Sequence, residues 1–241
     1  MERGNFLFAG SASIDGHQPL TGGAWTAADI RRRFIGLAPG PDRGSGASRG
    51  DHELNPGMRP MTELRDAAVL VPLVDHGNAL NILLTRRTAH LSRHAGQIAF
   101  PGGRVDEGDA DAVATALRET EEEIGLNRDR IEPIGQLDRY VTRTGFTVTP
   151  VVAIVHPPFT LNLHAEEVAA SFEVPLEFIL DPANRERHSA EYQGVQRHFY
   201  AIPFGKHYIW GATAGMLVNL AETLASENLA AQTVAAQTVA G

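Results

Sequence analysis

Two short apolar runs, Ala67–Val74 and Ala79–Thr85, are split by the polar stretch Asp75–Asn78. Runs of that length around a turn-forming segment predict a β-hairpin. Gly96–Phe100 predicts a further strand that stops at Pro101-Gly102-Gly103. The rhythm then changes. Asp111–Ile124 has no Gly or Pro and is rich in Ala, Leu and Glu, which predicts a helix, and Gly125 supplies its C-terminal stop. Ile131–Val141 and Phe146–Val155 predict two strands, and Val174–Leu180 a short helix with Pro175 in its first turn. Gln196–Ile202 and His207–Trp210 predict two more strands. The stripe Met216, Leu217, Leu220, Leu224 predicts a terminal helix over Thr213–Leu224. Strands on both sides of a central helix, with a helix at the end, predict an α+β fold with a mixed sheet between helices.

The flanks lack this regularity. Residues 1–65 are expected to form an accessory arm and linker, 66–225 the domain, and 226–241 a flexible Ala-rich tail. Within the arm, Thr26 and Asp29 ahead of Ile30–Phe34 have the spacing of a capping box that opens a short helix. Leu37–Pro60 is crowded with Gly, Pro, Arg and Ser and reads as a linker. In the tail Ala230–Val234 is repeated at once as Ala235–Val239, too few copies for a solenoid. A homodimer built through the arm is a further expectation.

Composition narrows the chemistry. The 241 residues suffice to bury a core without a covalent staple. The absence of cysteine excludes a disulfide framework, a thiolate zinc site and a cysteine nucleophile. No apolar run approaches the roughly 20 residues that a membrane span needs. The opening stretch Met1–Gly16 lacks the long apolar segment of a secretory leader, and a cytoplasmic location is the simpler expectation. A net charge of −8 argues against non-specific binding to nucleic acid or anionic lipid. A small anionic substrate stays compatible, because local arginines or a bound metal reverse the field in one cleft. Lys206 is the sole lysine, so the remaining cationic side chains are guanidinium groups.

The most informative segment is Arg118-Glu119-Thr120-Glu121-Glu122-Glu123-Ile124-Gly125-Leu126. With about 100° of rotation per residue, Glu119, Glu122 and Glu123 share about a quarter of the helix circumference, and Glu121 points away. Like charges so placed repel. Hard oxygen ligands in a compact group suit Mg2+ or Mn2+ with positions left for phosphates and water. Arg118 is the group to orient one of these carboxylates or a neighbour. Most Glu-rich helices are merely solvated. This one follows Phe100-Pro101-Gly102-Gly103, a strand end with two glycines where backbone can approach an anion.

With these residues in place, Gly103–Leu126 resembles the signature box of the Nudix hydrolase family, matching at Arg118, Glu119, Glu122, Glu123 and Gly125. Asp109 stands where the general box has glutamate, and its spacing to Arg118 is one residue longer. The same departures resemble the coenzyme A pyrophosphatase subgroup. Leu83, Leu84, Thr85, Arg87, Gly96 and Phe100–Gly103 match that subgroup's motif, and Ser92 departs from it. Glu167–Leu176 and Ile209–Gly215 are also similar to it. The resemblance implies an αβα sandwich with a mixed sheet. It also implies metal ligation by Glu119, Glu122 and Glu123, and attack by water on a pyrophosphate. The subgroup implies cleavage of coenzyme A or acyl-CoA into 3′,5′-ADP and the 4′-phosphopantetheine part. A Nudix hydrolase of ADP-ribose or a dinucleotide, and a non-catalytic Nudix-fold binding module, stand as alternatives.

Glu167 is a candidate extra ligand or base; the plainer reading is a cap or surface carboxylate. Arg86, Arg87, Arg93, His94 and Arg104 surround the glycines in sequence, and some are expected to meet phosphates. In an extended segment about half of them point elsewhere. Gly102, Gly103 and Phe100 complete the candidate substrate contacts, although Phe100 also reads as core. Trp210 and Tyr208 read either as adenine-stacking rings or as packing residues of a late strand.

Overall fold

A computed structural model describes residues 8–12, 25–35, 49–58, 63–89, 95–192 and 194–226. In chain order its elements are β1 (Phe8–Ala12), α1 (Ala27–Phe34), β2 (Arg49–Gly50), β3 (Arg65–Asp75), β4 (Leu80–Arg87), β5 (Ile98–Ala99), β6 (Gly102–Arg104) and α2 (Ala112–Ile124). There follow β7 (Ile131–Gln136), β8 (Tyr140–Val141), β9 (Phe146–Val155), β10 (Val168–Pro175), α3 (Leu176–Leu180), β11 (Glu186–Tyr192), β12 (Val195–Phe204), β13 (His207–Trp210) and α4 (Ala212–Ala225).

A nine-stranded mixed sheet runs β10-β4-β3-β9-β8-β2, with β5 beside β4, β6 beside β3 and β7 beside β9. Its axis is the parallel pair β3 and β9, in unbroken register from Arg65 opposite Phe146 to Val74 opposite Val155. Both strands are near-continuous apolar runs because both of their faces are covered. Ala68, Leu70 and Val74 of β3 join Ala116, Ile124 and Leu126 in the core beneath α2. Val71 and Leu73 face the opposite core, which holds Ile202, Ile209, Leu217 and Leu220. A four-stranded antiparallel sheet, β1-β11-β12-β13, closes that second side together with α4. No described helix is long and apolar enough to cross a membrane.

Local signals place α2 as expected. The Asp111 side chain accepts from the Ala114 N–H at 2.8 Å, and Gly125 ends the helix with φ 65°. A side chain at Gly125 would also strike Asn162, so the position is closed to other residues twice over. The Thr26–Asp29 capping box forms as read.

Several elements depart from expectation. Gly102–Arg104 is a short strand against β3, not a free loop. The strand foreseen over Ile131–Val141 breaks at Leu137–Arg139, where Leu137 turns into the core. β10 and β11 are additional strands. β10 is the edge strand beside β4, and β11 is a polar strand with little alternation to reveal it. Part of the stretch read as arm and linker is built into the body. Ile30 is 0% exposed, Phe34 packs against Gly135, and Arg31 grips Glu132 of β7 through two hydrogen bonds of 2.8 and 2.6 Å. β2 extends the main sheet alongside β8. The tail beyond Ser226 lies outside the described residues.

Because the Phe34 ring fills the space that Gly135 leaves open, Phe34→Ala is expected to cost about 3–5 kcal/mol in urea denaturation. An unchanged midpoint would mean that α1 rests loosely on the body.

Candidate active site

Arg118 organises one end of α2. Its Nε and Nη2 donate to the two oxygens of Asp109 at 3.0 and 2.8 Å. Nη2 also donates to the Arg104 carbonyl at 3.1 Å, and Nη1 to Glu119 at 2.9 Å and to Glu122 at 3.2 Å. These five bonds use every donor of the guanidinium. Asp109 is in turn fixed by the Asp106 N–H at 3.0 Å and the Thr115 hydroxyl at 2.9 Å. The bidentate Arg118 fork, followed by those two bonds, holds the Asp109 carboxyl well below its ordinary range.

The glycines serve the protein's own carboxylates. A Cβ on Gly103 would lie 2.4 Å from the Glu119 carboxyl carbon, so the absent side chain is the space that Glu119 fills. The Gly102 N–H donates to Glu123 Oε2 at 3.2 Å. With φ at 150°, Gly102 also runs so close to β3 that a Cβ would meet the Ala68 carbonyl at 2.4 Å. The anions that the glycines were expected to approach are thus Glu119 and Glu123 themselves. Glu122 stands on the outer side, 60% exposed in its side chain. Glu121 turns away and pairs with Arg128 at 2.8 Å.

Glu123 is the strained member. Its side chain is 5% exposed, and burial, with the negative charges of Glu167 and Glu119 adding to it, pushes its pKa up to about 7. The Gly102 N–H and Arg87 work against that rise. Burial likewise raises Glu119, against the pull of Arg118. Arg87 Nη1 lies 3.5 Å from Glu123 Oε1, while its buried Nε has no hydrogen-bond partner among the described residues.

Glu167 sits on a loop stitched to the end of α2, where its charge bears on Glu123 and its carboxylate lies 3.6 Å from His164 Nδ1. The Asn162 N–H donates to the Ile124 carbonyl and the His164 N–H to the Glu123 carbonyl. On the other side, Thr88 donates its N–H to the Glu167 carbonyl and its hydroxyl to the Glu166 carbonyl, both at 2.9 Å.

A family model of the NUDIX domain matches residues 64–197. The uncharacterized Nudix hydrolase NudL of Escherichia coli K12 / DH10B is 41% identical over 157 residues, which cover 65% of this chain and 81% of that protein. The protein of the same name from Enterobacter sp. 638 is 40% identical over 169 residues, covering 70% and 88%. Among solved structures, the M. smegmatis Nudix hydrolase RenU aligns with a TM-score of 0.44 at 20% identity, over 68% of this chain and 88% of its own. A binary complex of the C. elegans Ap4A hydrolase aligns with a TM-score of 0.40 at 24% identity, over 46% and 80%. The chain belongs to the Nudix hydrolase family.

In this Nudix hydrolase α2 carries the stretch that resembles the family box, and its α+β fold with a mixed sheet is the family's. The structure brings Arg118, Glu119, Glu122, Glu123, Glu167, Arg87, Gly102 and Gly103 together. Arg86, next to Arg87, points to the other face of β4. Phe100 is 3% exposed in the second core, so its ring packs the interior and does not face a substrate. Arg104 is exposed and contributes its carbonyl to Arg118. Trp210 packs edge-on against Phe199 at 5.4 Å. Arg93, with Ser92 and His94, lies outside the described residues. Sequence reasoning overlooked the part played by Thr88 and the backbone stitches of Asn162 and His164. A buried threonine and main-chain bonds leave no signature in residue type.

Among the described residues no group of three or more acidic or histidine side chains is gathered closely enough to hold a metal ion. The donor set still fits a hard divalent cation, since Mg2+ is held by one or two carboxylates with water and substrate phosphates completing the shell. Members of this family generally use such a cation.

A glutamate free in the unfolded chain titrates near 4.5, and Glu123 near 7 in the fold. The folded state therefore binds this proton more tightly, so stability present below pH 4.5 is lost as pH rises through 7. The metal-free protein is expected to lose on the order of 2–3 kcal/mol across that window from this group. Glu123→Gln flattens that part of the curve, measured by urea denaturation with chelator present. An equal slope in the variant would put the loss elsewhere.

Proposed function

We propose that this Nudix hydrolase splits the pyrophosphate bond of coenzyme A or acyl-CoA, releasing 3′,5′-ADP and (acyl-)4′-phosphopantetheine, in the cytoplasm. The observation that carries the hydrolytic reading is the seating of Glu119 and Glu123 at Gly102 and Gly103, beside the unpartnered Nε of Arg87. Support for the coenzyme A reading comes from three stretches that resemble that subgroup and are distant in sequence. Leu83–Arg87 lies on β4 and Glu167–Leu176 runs along β10, its direct neighbour. Ile209–Gly215 adjoins them through Thr213, whose hydroxyl donates to the Ile98 carbonyl of β5 at 3.0 Å.

In this reading Glu119, Glu122 and Glu123 would hold a divalent cation, Mg2+ or Mn2+, which would supply positive charge to the pyrophosphate oxygens and lower the pKa of a water. Arg118 has no donor left for substrate, so its role is to keep Glu119 and Glu122 turned toward the site. Arg87 offers its Nε–H to a phosphate oxygen, which removes the cost of leaving that donor buried and unmet. Glu167, on the loop stitched to the end of α2, is the residue to take the proton of the attacking water.

Incubation with coenzyme A and Mg2+ is expected to give 3′,5′-ADP and 4′-phosphopantetheine by mass spectrometry. Faster turnover of ADP-ribose or a dinucleotide in a parallel panel would reassign the substrate. Glu167→Gln is expected to lower kcat by about a hundredfold or more. Glu119→Gln and Glu123→Gln abolish turnover and also the rise in Tm that Mg2+ gives the wild type. Wild-type turnover in both would sink the carboxylate assignment, and binding without Mg2+-stimulated hydrolysis would make the protein a binding module.

A further inference from the structure

Arg86 and Arg87 are adjacent on β4 and project to opposite faces of the sheet. Arg87 goes to Glu123. Arg86 is exposed and follows Ile82 and Leu84 on the face toward the second core. Leu84 lies opposite Phe172 in the β4–β10 register. The Phe172 ring stacks on His207, with centroids 3.6 Å apart and planes 7° from parallel. Lys206 precedes His207 in the turn that joins β12 to β13. Arg86 lies two residues beyond Leu84 on this face and Lys206 adjoins His207, so strand register and the Phe172 stack bring the three basic groups to one corner; burial first, then the charges of Lys206 and Arg86, holds His207 below its ordinary pKa. Arg31, Arg49, Arg118 and Arg128 each engage a carboxylate. Among the described residues neither Arg86 nor Lys206 does. In a chain of net charge −8, two cations and an imidazole that, among the described residues, engage no carboxylate form a positive corner at the end of the strand that carries Arg87.

We propose that Arg86, Lys206 and His207 form a second anion subsite that takes a terminal phosphate of the substrate, distinct from the pyrophosphate that is cut. On the coenzyme A reading, on which this inference rests, that group is the 3′-phosphate of the nucleoside. The chemistry suits a phosphate dianion. Arg86 brings a planar fork, Lys206 a mobile point charge, and the His207 ring an N–H donor fixed in orientation by its stack on Phe172. A substrate lying across the end of β4 meets Arg87 with its pyrophosphate and Arg86 with its outer phosphate. The subsite therefore selects 3′-phosphorylated nucleotides over those with a free ribose.

The test compares coenzyme A with dephospho-coenzyme A as substrates, and 3′,5′-ADP with 5′-AMP as ligands in calorimetry, for the full chain and the Arg86→Ala/Lys206→Ala double variant. Wild-type kcat/KM is expected to favour coenzyme A roughly tenfold or more, as loss of a charge-assisted contact implies. In the double variant that preference shrinks to about twofold or less through KM, and 3′,5′-ADP binds no more tightly than 5′-AMP. Arg86→Lys restores part of the preference. Hydrolysis of coenzyme A with no preference in the wild type, or with the preference intact in the double variant, overturns the subsite. If coenzyme A is not hydrolysed but 3′,5′-ADP binds more tightly than 5′-AMP through Arg86 and Lys206, the substrate assignment falls and the subsite stands.

Discussion

The architecture of the site depends on one guanidinium. Arg118 spends two donors on Asp109, one on the Arg104 carbonyl and two on Glu119 and Glu122. The first pair fixes its own position, because Asp109 is already held by the Asp106 N–H and the Thr115 hydroxyl. The carbonyl ties α2 to β6. The last pair brings two repelling carboxylates to one side of the helix. In a partly buried setting such charge-assisted bonds are stronger than surface ion pairs. They allow two of the three glutamates of the stripe to sit side by side in the folded protein.

Not every carboxylate is relieved by that fork. Glu123 is buried beyond its reach, with one backbone donor at Gly102 and a guanidinium 3.5 Å away. Burial of a carboxylate so thinly compensated costs stability, and the surrounding structure has to carry it. The two cores on either side of β3 and β9 supply that support, as does the loop pinned to α2 by the Asn162 and His164 amides. The same confinement gathers the carboxylates of Glu119 and Glu123 at Gly103 and Gly102.

The alternation of β4 divides the labour at the other end of the site. Leu83, Thr85 and Arg87 face α2, while Ile82, Leu84 and Arg86 face the antiparallel sheet. A slip of one residue against β10 would exchange the two arginines and place the apolar residues wrongly as well. The burial of Leu83 on one face and of Ile82 and Leu84 on the other therefore also decides which cation meets Glu123.

Much of the site was legible because its signals are local. The three glutamates on one helical stripe follow from rotation per residue, the helix ends from Asp111 and Gly125, and the β3–β4 hairpin from its apolar runs. Gly102 and Gly103 were legible as places of close approach, but what approaches them was not. That depends on β6 lying against β3 and on α2 crossing above it. Asp109 as the partner of Arg118 required the bend between β6 and α2. Polar β11 and edge strand β10 carry weak alternation, since one face or one edge meets solvent. Arg31 and Phe34 acquire meaning only when Glu132 and Gly135 are brought to them from about a hundred residues away. By itself the sequence determined the carboxylate helix and its family, because spacing along a helix is a local property. The tertiary structure alone decided which carboxylate is buried and which arginine faces it, because burial and strand register are properties of the whole chain.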